Sequence, residues 1–82
     1  MLTRLHVSFN PNYLDVPTVQ QLFYEAMDAG ARYSRGYSEA AATVTFTLYG
    51  RYTAVSLQRF ARLLHHHDSF ARLRVDGSLY TA

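Results

Sequence analysis

His6 and Ser8 stand two positions apart near one end of the chain, and His65, His66 and His67 precede Asp68 near the other. On a strand, positions i and i+2 share a face. His6 is therefore a candidate general base beside the Ser8 hydroxyl, given a carboxylate to orient its ring. Asp15, Asp68 and Asp76 are the carboxylates available for that role, and no spacing ties one of them to His6. The histidine run has the composition of a metal site without its geometry. Successive helical residues point about 100° apart, whereas two ligands from one helix need spacing i, i+3 or i, i+4. No metal and no cofactor is expected, and a pH-sensitive helix end is the remaining functional reading of the run.

The eight basic residues are all Arg, a choice that codon bias explains and that also supplies planar, two-pronged donors. Strand alternation places Arg4, His6 and Ser8, then Thr43, Thr45 and Thr47, then Arg72 and Arg74 on one face. Arg59, Arg62 and His66 fall at i, i+3, i+7, one exposed stripe of a helix, with Arg51 nearby. Arg4, Arg59, Arg62, Arg72 and Arg74 make up the candidate nucleic-acid surface. An RNA-reading sheet adds stacking aromatics at its centre. Here Phe9 and Phe46 are expected to point inward, and Tyr49 stands at a strand end. The plain alternative is a solvated sheet face whose Thr residues serve β-propensity, beside a helix with cations near its C-terminus.

Tyr and Arg also interleave in residues 32–37 and 49–52. Both types are enriched where binding energy concentrates, and both segments lie at element ends. Arg32, Tyr33, Arg35, Tyr37, Tyr49, Arg51 and Tyr52 are the candidate protein-binding residues. The same interleaving suits single-stranded nucleic acid through stacking. The plain alternative is half-buried rings with wet hydroxyls.

These residues need elements to position them. Leu5, Val7 and Phe9 alternate with Arg4, His6 and Ser8, which reads as a half-buried strand ended by Asn10-Pro11-Asn12. Asp15-Val16-Pro17-Thr18 opens a helix, with Val19, Leu22, Phe23, Ala26 and Met27 as its apolar stripe and Gly30 as its stop, over about 17–29. Residues 31–38 read either as an edge strand or as a loop. Val44, Phe46 and Leu48, alternating with Thr43, Thr45, Thr47 and Tyr49, are the clearest strand. Thr53 caps a second helix striped by Leu57, Phe60, Ala61 and Leu64 and ended by Asp68-Ser69. Phe70–Val75 and Ser78–Thr81 are expected as strands joined by the Asp76-Gly77 turn. The order predicts one α+β domain over 1–82: a ferredoxin-like βαββαβ sandwich with a mostly antiparallel sheet, both helices on one face, and a short C-terminal hairpin. If 31–38 were loop, the result would be a simpler βαβαβ arrangement.

Composition sets the outer limits. The 82 residues are 49% hydrophobic and 17% charged, which excludes a disordered tail. The chain has no Cys, which excludes disulfides and thiolate chemistry. Charge is uneven: Arg4, Arg32 and Arg35 are outnumbered by Asp15, Glu25, Asp28 and Glu39, whereas Arg51, Arg59, Arg62, Arg72 and Arg74 outnumber Asp68 and Asp76. The second half would attract an acidic partner. No apolar run is long enough to span a membrane, and the first residues alternate instead of forming a signal-peptide core, so a cytoplasmic location is expected. A domain this small buries a modest share of its surface, and a homodimer would enlarge its core.

With no nucleophile elbow, phosphate loop or His-Glu-x-x-His, the chain is expected not to be an enzyme. The leading expectation is a protein–protein interaction module, an inhibitor or adaptor of the kind phages and mobile elements encode against host or defence complexes. RNA or DNA binding is second. A small dimeric α+β enzyme built on His6 is third, and it rests on fold analogy alone.

Overall fold

A computed structural model describes residues 2–27, 32–38, 42–49 and 53–80. Along the chain run β1 (Leu2–Ser8), α1 (Val16–Ala26), β2 (Arg32–Ser38), β3 (Thr43–Tyr49), α2 (Ala54–His67), β4 (Arg72–Val75) and β5 (Ser78–Leu79). The sheet order is β2-β3-β1-β4-β5, and each neighbouring pair is antiparallel. The fold is α+β, and the ambiguous stretch around residues 31–38 pairs as a full strand along β3.

Register sorts the side chains. On β1, Leu5 stands between Phe46 and Val75, and Val7 between Val44 and Leu73. Leu5, Val7, Val44 and Phe46 are fully buried. Against them α1 lays Val19, Leu22, Phe23 and Ala26, and α2 lays Leu57, Phe60, Ala61 and Leu64, so sheet and helices share one core. Three rings join the layers. Phe23 stacks on Phe46 at 4.0 Å between centroids, and Phe60 meets both edge-on at 5.6 and 6.1 Å. Offset and edge-on pairs satisfy the ring quadrupole and add to the area each ring buries.

Both helices start on the caps their sequences offer. Asp15 accepts a hydrogen bond from Thr18 N at 2.8 Å, with Pro17 in the first turn. Thr53 accepts from Ser56 N at 3.1 Å, and its hydroxyl also bonds the buried Ser56 hydroxyl at 2.8 Å. The hydrogen bond from Thr18 favours the ionised Asp15 carboxylate and holds its pKa below the usual carboxylate value. At Asp76 and Gly77 φ is +50° and +87°, the left-handed pair that a two-residue hairpin turn requires.

Three boundaries differ from the sequence reading. The first helix ends at Ala26, not near residue 29. Met27 caps it in an extended conformation and still buries its side chain, so the apolar stripe outlasts the helix; Gly30 lies outside the described residues. The fourth strand begins at Arg72, not Phe70. Asp68 accepts from Phe70 N through its side chain and from Ala71 N through its carbonyl, which folds the segment into a turn. The last strand is Ser78–Leu79, although Tyr80 N still donates to Leu73 O at 2.8 Å; Thr81 lies outside the described residues.

Candidate binding face

The face of the sheet away from the helices is built in rows. Thr45, His6 and Arg74 form one row across β3, β1 and β4. Thr43, Ser8 and Arg72 form the next. Arg4 pairs with Thr47 in a third, where β4 has already ended. There the hairpin turn takes over the ladder. Asp76 N donates to Arg4 O at 2.8 Å, and the Asp76 carboxylate accepts from Arg4 N at 2.9 Å. The turn that closes β4 onto β5 thus also completes β1, and it holds Arg4 beside Arg74.

Arg4, Arg72 and Arg74 are all exposed. Arg74 reaches the Gly77 carbonyl at 3.4 Å, and among the described residues no carboxylate pairs with any of the three guanidinium groups. His6 is half-buried, with Nδ1 3.0 Å from the Thr45 hydroxyl. Arg4, His6, Thr47, Arg74, Asp76 and Gly77 line a shallow depression of about 580 Å³. The arrangement supplies the charged donors of Arg4 and Arg74 and the Thr47 hydroxyl, which suit carboxylate or phosphate oxygens. Asp76 is the one anionic group in the depression, and one of its oxygens is held by the Arg4 amide.

None of the three carboxylates that might orient His6 bonds it. Asp15 holds Thr18 N, Asp76 holds Arg4 N, and the buried Asp68 holds Asn10 N at 2.8 Å and Phe70 N at 3.0 Å. His65 also has a structural partner, with Nε2 3.0 Å from the Ala71 carbonyl, to which it donates. No group of three or more His, Cys, Asp or Glu able to hold a metal occurs among the described residues.

The structure brings Arg4, Arg72 and Arg74 together and places Arg59 and Arg62 elsewhere, on the exposed side of α2. That α2 stripe and the sheet face lie on opposite sides of the core layer. The nucleic-acid set is therefore two surfaces and not one. Of the Tyr/Arg set, Tyr49 is 46% exposed at the end of β3. Tyr33, Arg35 and Tyr37 pair in register with Leu48, Phe46 and Val44, and Arg32 pairs with Tyr49. Arg51 and Tyr52 lie outside the described residues. Sequence reasoning put Phe70 at the start of a strand and did not foresee that it is 87% exposed in a turn shaped by the buried Asp68. The signal for that turn was the Asp68-Ser69 pair, whose first residue forms side-chain-to-backbone turns readily.

No helix among the described residues is long and apolar enough to cross a membrane. No protein-family model, curated protein or solved structure matches the chain.

Proposed function

We propose that this chain is a non-enzymatic protein-binding module that docks its open sheet face on an acidic protein surface, as an inhibitor or adaptor. The observation that carries the reading is that Arg4, Arg72 and Arg74 are exposed on one sheet face, with no carboxylate paired to their guanidinium groups among the described residues. Such donors are satisfied by water in the free protein and gain charge-assisted hydrogen bonds when carboxylates arrive. Inhibition would follow from occupying the partner's surface, and the phage-type role belongs to this reading. The strand order β2-β3-β1-β4, with a helix after β1 and another after β3, supports a ferredoxin-like sandwich with a C-terminal hairpin appended.

Nucleic acid is the second reading, favoured by the same three Arg residues. Against it stands the centre of the face, where Thr45, His6 and Arg74 occupy the row in which stacking aromatics would be expected.

Fluorescence anisotropy separates the two readings. The probes are labelled poly-glutamate, single-stranded RNA and double-stranded DNA at about 50 and about 200 mM salt. Poly-glutamate is expected to bind more tightly than either nucleic acid. The Arg4→Ala/Arg72→Ala/Arg74→Ala variant is expected to lose that binding while its melting temperature stays close to that of the parent. Tighter binding of nucleic acid would transfer the face to the second reading, and no binding at low salt would overturn both.

A further inference from the structure

At the end of the molecule where α2 turns into β4, an exposed ring and an apolar hollow sit on either side of one buried carboxylate. Asp68 is 3% exposed. It accepts from Phe70 N on one side and from Asn10 N on the other, so it joins the α2–β4 turn to the loop after β1. The His65 bond to the Ala71 carbonyl holds the turn from a third direction. Phe70, at its tip, is 87% exposed and projects from a backbone with little freedom left. Ordering a ring before it meets a partner removes part of the entropy cost of binding.

The hollow lies on the other arm of the same junction. Phe9, Pro11, Leu14, Val16 and Pro17 line it, with a volume of about 190 Å³ and the Asp15 carboxylate at its rim. That volume accommodates one aromatic side chain. An exposed charge stands beside each, of opposite sign. Phe70 shares its surroundings with Arg72 on one side and with His66, His67 and the buried Asp68 on the other, whereas Asp15 lines the hollow. Asp15 is exposed and held ionised by its bond from Thr18.

We infer that this end of the molecule is a self-association surface, on which Phe70 of each copy enters the Phe9–Pro17 hollow of a second copy and Arg72 approaches the partner's Asp15. Asp68 ties the two together, bonding Phe70 N in the ring's turn and Asn10 N next to Pro11 of the hollow; a two-fold axis between two copies would then satisfy both at once and close the contact as a dimer. Arg72 borders both surfaces, but Phe70 and the hollow lie outside the Arg4–Arg74 depression, so the ring-in-hollow contact does not depend on the proposed function.

Sedimentation equilibrium across a concentration series tests it. The mean mass of the wild-type chain is expected to rise from 9.4 kDa toward twice that value. Phe70→Ala is expected to weaken the dimer by about 30-fold or more, the cost of losing an interface anchor, with an unchanged melting temperature because the ring is exposed in the free chain. Asp15→Asn keeps a good helix cap while removing the charge, and is expected to weaken the dimer and reduce its salt sensitivity. A wild-type chain that stays monomeric into the millimolar range would overturn the inference. So would a dimer that Phe70→Ala leaves intact, or a ladder of higher oligomers. Poly-glutamate binding retained by Phe70→Ala would show the open face working independently of this surface.

Discussion

On β1, Leu5 and Val7 turn toward the helices and are fully buried, while Arg4, His6 and Ser8 turn the other way at positions between and beside them. The two faces share a backbone, a register and a set of ladder hydrogen bonds. They differ in what their side chains must satisfy. The inner face has to interlock with Phe23 and Phe60, so each residue there is fixed by volume and shape. The outer face meets water, and the fold asks of it only residues that favour strands. Thr43, Thr45 and Thr47 meet that requirement; Arg4, Arg72 and Arg74 go beyond it. The difference shows where the sequence was free to serve something other than folding.

Substitutions at matched positions on β3 sharpen the contrast. Phe46→Ala removes the ring on which Phe23 stacks and against whose edge Phe60 packs, and is expected to cost about 3–5 kcal/mol in denaturant unfolding. Thr45→Val, one residue away, keeps the strand and loses only the His6 hydrogen bond. Its expected cost is about 0.5–1 kcal/mol by the same measurement. A cost at Thr45 equal to that at Phe46 would erase the distinction between the faces. The smallest expected effect lies outside the sheet, at the α1 cap. The folded-state pKa of Asp15 is lowered, so its stabilising contribution is complete above the unfolded value and fades as pH falls through the folded one. Unfolding midpoints measured between about pH 5 and pH 2 are therefore expected to fall less steeply for Asp15→Asn than for the parent.

What the sequence disclosed follows the same division. The inner face was legible because alternation on Leu5, Val7, Val44, Phe46 and Leu48 and helical stripes on α1 and α2 repeat over many residues, and each repeat reinforces the last. The Asp76-Gly77 turn was legible because few residue pairs tolerate its backbone. The ends of α1 and β4 were not, because single contacts settled them: burial of Met27 beyond the helix, and one Asp68 carboxylate gathering amides from two loops. The outer face was legible as a set of residues on one side. Its rows were not, because they depend on the pairing of β1 with two strands distant in sequence. Arg59 and Arg62 illustrate the limit: their stripe is where the sequence put it, yet only the packing of α2 shows that it faces away from the sheet's cations.

The central place of β1 in the sheet has a consequence for how the protein is made. Its partners are β3 and β4, and Arg4 is bonded to a side chain 72 positions further along the chain. β1 is made before either partner and must wait for β4 before its second edge is covered. Until then its open edge and the apolar row of Leu5 and Val7 stay uncovered. Long-range pairings of this kind slow folding relative to helical bundles of similar size. The sheet is therefore complete only once β4 and its hairpin are available to pair.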